Sequence, residues 1–111
     1  MVAATLSKLG IKHMFGVIGI PVTRMASAAQ AAGIRFISCR NEQAAGYAAA
    51  ASGFLTGKPG LLLTVSRPGM IHGLSGLCHA KENSWPLIMI SGSCETVRDY
   101  HANMIQDFLQ D

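Results

Sequence analysis

Acidic residues are scarce in this chain. Six aspartates and glutamates stand against nine lysines and arginines in 111 residues, for a net charge of +3. The basic residues are scattered from Lys8 to Arg98 without a run or stripe, a pattern that excludes the usual footprint of a nucleic-acid-binding domain. Only 14% of the residues are charged and 50% are hydrophobic, so much of the surface is expected to be covered by other protein. Yet no hydrophobic run approaches membrane-spanning length, and no charged start followed by an apolar middle marks a signal peptide. Cysteine is sparse and odd in number: Cys39, Cys78 and Cys94. No pair reads C-x-x-C, and His13, His72, His79 and His101 show no ligand spacing with them. A reduced intracellular compartment without a structural disulfide or zinc is therefore expected.

Phosphate-binding signatures are missing as well. Gly16-Val17-Ile18-Gly19-Ile20-Pro21 has the spacing G-x-x-G rather than G-x-G-x-x-G, and proline stands where backbone amides should face a pyrophosphate. Neither G-x-x-x-x-G-K nor the nucleophile elbow G-x-S-x-G occurs. Gly73-Leu74-Ser75-Gly76 falls inside a helical stretch, where small residues serve packing.

What the chain does have is an alternation of two hydrophobic periods, the mark of a layered α/β domain. Val2 to Leu9 reads as a helix with Val2, Ala3, Leu6 and Leu9 on one face. Met14 to Ile18 reads as a strand ended by Gly19, and Pro21 opens a helix running to Ala32 with Gly33 as its stop. A second strand, Ile34 to Ser38, precedes a helix that begins at Glu42 and ends near Gly57-Lys58-Pro59-Gly60. Leu61 to Val65 is uniformly hydrophobic and should be buried on both faces. The turn Ser66-Arg67-Pro68-Gly69 leads into a helix from Met70 to about Lys81, Leu87 to Ile90 forms a fourth strand, and His101 to Asp111 is weakly helical. The order implies one α/β domain over residues 1–111, a parallel sheet with helices on both faces joined by right-handed crossovers. Ligands in such sheets collect at the carboxyl ends of the strands. The turns at Gly19-Ile20-Pro21, Arg40-Asn41-Glu42, Ser66 to Gly69 and Ser91-Gly92-Ser93 all belong to that edge.

Glu42 is the residue to question first. It is a lone carboxylate opening a helix made almost wholly of small apolar residues, Ala44 to Gly53, that can pack closely enough to exclude water. A glutamate held there is costly unless it is hydrogen-bonded or takes a proton. A helix-capping carboxylate is the alternative, since Asn41 and Glu42 both suit a first turn.

Three segments together carry a resemblance: Phe15 to Val22, Arg40-Asn41-Glu42-Gln43-Ala44-Ala45, and Ser66-x-Pro68-Gly69, with Trp85-Pro86-Leu87 following at the expected distance. In this order and spacing they resemble the amino-terminal, pyrimidine-binding domain of the thiamine diphosphate-dependent enzymes. The forms Gly-Ile-Pro-Val and Arg-Asn-Glu-Gln-Ala-Ala are most similar to those of the 2-hydroxyacyl-CoA lyases, with oxalyl-CoA decarboxylases and acetolactate synthases more distant. The resemblance implies that Glu42 hydrogen-bonds the ring nitrogen of the cofactor's aminopyrimidine and so activates it. The reaction would be cleavage of a 2-hydroxyacyl-CoA to formyl-CoA and an aldehyde, in peroxisomal fatty-acid α-oxidation.

The resemblance places further residues at the site. Ile20 and Pro21 would shape the wall near the cofactor, or simply start a helix. Pro68 and Gly69 would line the cofactor. Gln43 and Gln106 would approach substrate, or lie as solvated surface residues. His72 reads as a packing histidine. Magnesium, in this family, is held by a Gly-Asp-Gly motif and an asparagine of a separate carboxy-terminal domain, and nothing here matches them. Arg67 stands where the family has glycine, and Ile105, Asp107 and Leu109 replace its phenylalanine, glutamate and proline. The chain is expected to be a partial domain, inactive alone, that works beside a homo-oligomeric or full-length subunit. A non-catalytic product that pairs with full-length subunits is one alternative, and a related enzyme of the acetolactate synthase or oxalyl-CoA decarboxylase type is the other.

Overall fold

In the computed structural model, which describes residues 1–93, four short strands form one parallel sheet in the order β2-β1-β3-β4. β1 is His13–Gly16, β2 Arg35–Ser38, β3 Gly60–Thr64 and β4 Leu87–Ser91. The helices are α1 (Val2–Lys8), α2 (Thr23–Ala31), α3 (Glu42–Thr56) and α4 (Pro68–Glu82). The first crossover runs in one direction along the sheet and the next two in the other. Right-handed connections therefore place α2 on one face and α3 and α4 on the opposite one, and the expected architecture stands.

Alternation along β3 shows the two layers. All five of its residues are buried. Leu61 and Leu63 join Leu6, Ile11, Met14, Val22, Ala26, Ala29 and Ile34 in the core beneath α1 and α2. Leu62 points the other way, against Ala45 and Ala49 of α3, as a period of two requires. Gly33 (φ 83°) and Gly57 (φ 67°) follow α2 and α3 in left-handed geometry, the usual way to stop a helix.

Several boundaries differ from the sequence reading. β1 ends at Gly16 rather than Ile18. The Cys39 amide takes the Gly16 carbonyl at 2.9 Å, and the chain then turns over Val65, which fills the space a side chain at Gly19 would need. Pro21 lies in a separate 3-10 turn, Ile20–Val22, and α2 starts only at Thr23. Both the Val22 amide and the Thr23 hydroxyl donate to the Gly19 carbonyl, which closes that tighter turn. Helix α1 buries Ala3 and Leu6 but leaves Val2 and Leu9 exposed, because a seven-residue helix turns only a narrow stripe to α2. Pro68 and Gly69 are the first residues of α4 and not a turn ahead of it. Proline suits that position, where its missing N–H has no partner to lose.

Helices α3 and α4 pack most heavily on each other, and the contact is bare backbone. A Cβ on Gly76 would lie 2.2 Å from the carbonyl carbon of Gly46. Toward the far end of the pair, rings close the gap. Tyr47 meets His79 edge-on at 5.5 Å, His79 meets Trp85 at 5.2 Å, and Trp85 lies 4.8 Å from Phe54. The outer surface of the pair carries several exposed apolar residues, Phe54, Leu55, Met70, Ile71 and Leu74. Among the described residues no helix is long and apolar enough to cross a membrane.

Candidate functional site

Helices α3 and α4 both begin at the carboxyl edge of the sheet, and their first turns build the site. Asn41 is the N-cap of α3, and its Oδ1 accepts from the Ala44 amide at 2.8 Å. A neutral amide thus does the capping. Glu42, the next residue, is left to reach across to α4. Its Oε2 lies 3.3 Å from Nδ1 of His72, and its side chain is only 15% exposed against 47% for the imidazole.

The other carboxyl oxygen faces Gly69. A Cβ at that position would lie 3.1 Å from Glu42 Oε1 and 2.4 Å from Val65 Cγ2. Glycine there leaves the carboxyl room that any larger residue would take from it. Val65 is wedged between Gly19 and Gly69, so the loop after β1 touches the wall of the Glu42 site through a single side chain. The loop after β4 is tied in as well. Ser91 Oγ donates to the Val65 carbonyl at 3.1 Å and the Gly92 amide to the Thr64 carbonyl at 2.9 Å. Gly92 also packs on Pro21 and Val22.

The expected site residues therefore divide. Glu42 and Gly69 adjoin directly, with Pro68 in the same turn of α4. Pro21 packs on the β4 loop, and Ile20 is 93% exposed beside it; both stand on the edge, with no direct contact to Glu42 among those described. Gln43 is exposed on the first turn of α3. Gln106 lies outside the described residues, as does the segment from His101 to Asp111. His72 is not the packing histidine expected from the sequence; it is exposed and paired with Glu42. A signal for it was present. Gly76 meets the backbone of Gly46 and Gly69 faces Glu42, and a polar side chain three or four residues from such glycines comes within reach of the opposing helix.

Arg67 carries the strain that its replacement of glycine implies. It precedes α4 at φ 57° and ψ −112°, the geometry of the first central position of a type II′ turn, where glycine is favoured. A side chain in so sparsely populated a region costs on the order of 1–3 kcal/mol. Arg67→Gly is expected to raise stability by about 0.5–1 kcal/mol, once the flexibility of glycine in the unfolded chain is subtracted. A higher urea midpoint would show it; a lower one would mean that the arginine side chain outweighs the strain.

Cys39 and Cys78 are free thiols. Among the described residues no group of His, Cys, Asp and Glu could hold a metal ion. A cavity of about 310 Å³ lies at the opposite edge of the sheet, lined by Gly10, Lys12, His13, Thr56 and Lys58 among others. It contains none of the residues around Glu42.

Comparison with known proteins matches residues 1–111 to the family described as thiamine pyrophosphate enzyme, N-terminal TPP binding domain. The chain is 66% identical over 95 residues to a 2-hydroxyacyl-CoA lyase of Arabidopsis thaliana, covering 86% of this chain and 17% of that protein. It is 70% identical over 89 residues to a 2-hydroxyacyl-CoA lyase of Oryza sativa subsp. japonica, covering 80% of this chain and 15% of that protein. It is 57% identical over 95 residues to an oxalyl-CoA decarboxylase of Escherichia coli (strain K12), covering 86% of this chain and 17% of that protein. The matched stretch spans about a sixth of the length of these curated relatives.

Proposed function

Because the chain belongs to the thiamine pyrophosphate enzyme family, through its N-terminal TPP binding domain, we propose that it supplies the cofactor-activating carboxyl of a lyase that cleaves 2-hydroxyacyl-CoA to formyl-CoA and an aldehyde. The observation that carries this reading is the placement of Glu42. It is a lone, mostly covered carboxyl that is spared the capping role by Asn41, held through one oxygen by His72, and faced on the other by Gly69, which has no side chain to press on it. Such a carboxyl can share a proton with a ring nitrogen laid against Oε1. Gly69 and Pro68 would form the floor beside that ring, with Ile20 and Pro21 farther along the same edge. Gln43 and Gln106 would reach toward substrate. Thiamine diphosphate, when bound, supplies the electron sink that lets the carbon–carbon bond beside the thioester break.

The remaining parts of the reading lie with the rest of the protein. Magnesium, the grip on the diphosphate and the contacts to the acyl-CoA are assigned there. The apolar outer face of α3 and α4 would then be covered by a further subunit, and this chain alone would be inactive. A peroxisomal place in fatty-acid α-oxidation belongs to the same reading.

The similarity to oxalyl-CoA decarboxylase supports a second reading, in which the bond broken releases carbon dioxide. Full-length protein supplied with thiamine diphosphate and magnesium distinguishes them. The lyase releases formyl-CoA and a long-chain aldehyde from a 2-hydroxyacyl-CoA. The decarboxylase releases formyl-CoA and carbon dioxide from oxalyl-CoA and leaves the hydroxyacyl substrate intact. Turnover of neither substrate would overturn both.

A further inference from the structure

Building on that assignment of Glu42, we propose that His72 is a positioning residue: it holds Oε2 of Glu42 so that Oε1 is the oxygen presented to the cofactor's pyrimidine ring. The geometry behind this is a repeat of one helical turn. Glu42 lies four residues before Gly46 on α3, and His72 lies four residues before Gly76 on α4. Residues four apart share a helix face. The Glu42–His72 pair is therefore the next rung beyond the point where Gly46 and Gly76 touch backbone to backbone. The close crossing sets the distance between the two side chains, and no flexible loop intervenes.

A glutamate on the first residue of a helix otherwise has three side-chain torsions to fix. Packing confines the side chain, which is only 15% exposed and lies beside buried Gly69, but it distinguishes poorly between two chemically equal oxygens. Among the described contacts the imidazole is the hydrogen-bonding partner that does. An ionised carboxylate only accepts hydrogen bonds, so Nδ1 must then carry the hydrogen, and the bond it makes selects which oxygen remains open. His72 itself is steadied within α4, where the Ser75 hydroxyl donates to its backbone carbonyl at 3.1 Å.

The test uses full-length apoprotein and titration calorimetry with thiamine diphosphate in the presence of magnesium. Asparagine places an amide N–H close to where Nδ1 stands, whereas leucine offers similar bulk without a donor. His72→Leu is expected to weaken cofactor binding about tenfold or more, His72→Asn to remain within about threefold of the unsubstituted protein, and His72→Leu to have no further effect once Glu42→Ala has removed the acceptor. Equal binding by His72→Leu and the unsubstituted protein would overturn the proposal. So would a loss that persists in the Glu42→Ala background, or one that His72→Asn shares in full. Failure of the unsubstituted protein to bind thiamine diphosphate would sink the functional reading instead. The thermal midpoints of the same apoproteins then decide the pairing: additive effects of the two substitutions overturn it, and non-additive effects sustain it.

Discussion

Glu42→Gln is expected to lower turnover of the full-length protein by about 10²–10⁴-fold, the usual contribution of a positioned acid or base, while leaving its melting temperature nearly unchanged. Glutamine keeps the length of the side chain and an oxygen able to accept from Nδ1 of His72, so the pair across the helices survives. It loses the ability to hold a proton and hand it on. The folding cost is small because Asn41, and not Glu42, caps α3. What disappears is the attraction between a first-turn carboxylate and the helix dipole, worth about 0.3–1 kcal/mol. The measurement is kcat at saturating cofactor, paired with a thermal melt. Turnover within a few-fold of the unsubstituted enzyme would remove Glu42 from the chemistry.

Gly76→Ala should do the reverse and damage the fold first. The added methyl would sit 2.2 Å from the carbonyl carbon, 2.4 Å from Cα and 2.6 Å from the oxygen of Gly46. These are backbone atoms with no rotamer to yield, so α3 and α4 must separate by roughly 1 Å. Overpacking of this kind costs about 1–3 kcal/mol, and here the upper end or beyond is expected. Gly73→Ala is the natural comparison. Its methyl would meet the side chains of Thr64, Leu62 and Met89 at 2.9–3.3 Å, which can shift, so its effect should be milder. Urea midpoints of the two variants give the comparison, and equal losses would mean that the glycine crossing has slack. Because the crossing also spaces Glu42 from His72, any Gly76→Ala protein that folds should bind cofactor more weakly.

The order of elements was legible because each strand is a short apolar run and the helices have clear punctuation at Gly33, Asn41 and Gly57. Leu61 to Leu63, apolar without a break, announced a strand covered on both sides. Glu42 stood out for a similar local reason, as a charge with no company of its own sign. The remainder depended on tertiary contact. Whether Val2 or Ala3 faces inward is decided by where α2 lies, and whether Pro68 belongs to a turn or to a helix by how Arg67 bends. His72 was the hardest to read, because its partner is 30 positions away in sequence. Only the approach of two glycine-lined helices makes them neighbours, and apolar periodicity carries no record of bare backbone.

Trp85 is the one tryptophan in the 111 residues. It lies two positions before β4, at the opposite end of the sheet from Glu42, with its ring against Phe54 and His79. It is thus a built-in fluorescence gauge of this segment. Its emission should follow whether the far ends of α3 and α4 stay docked and remain indifferent to what lies against Oε1 of Glu42. Loss of the glycine crossing and loss of the carboxyl can thereby be told apart by light alone.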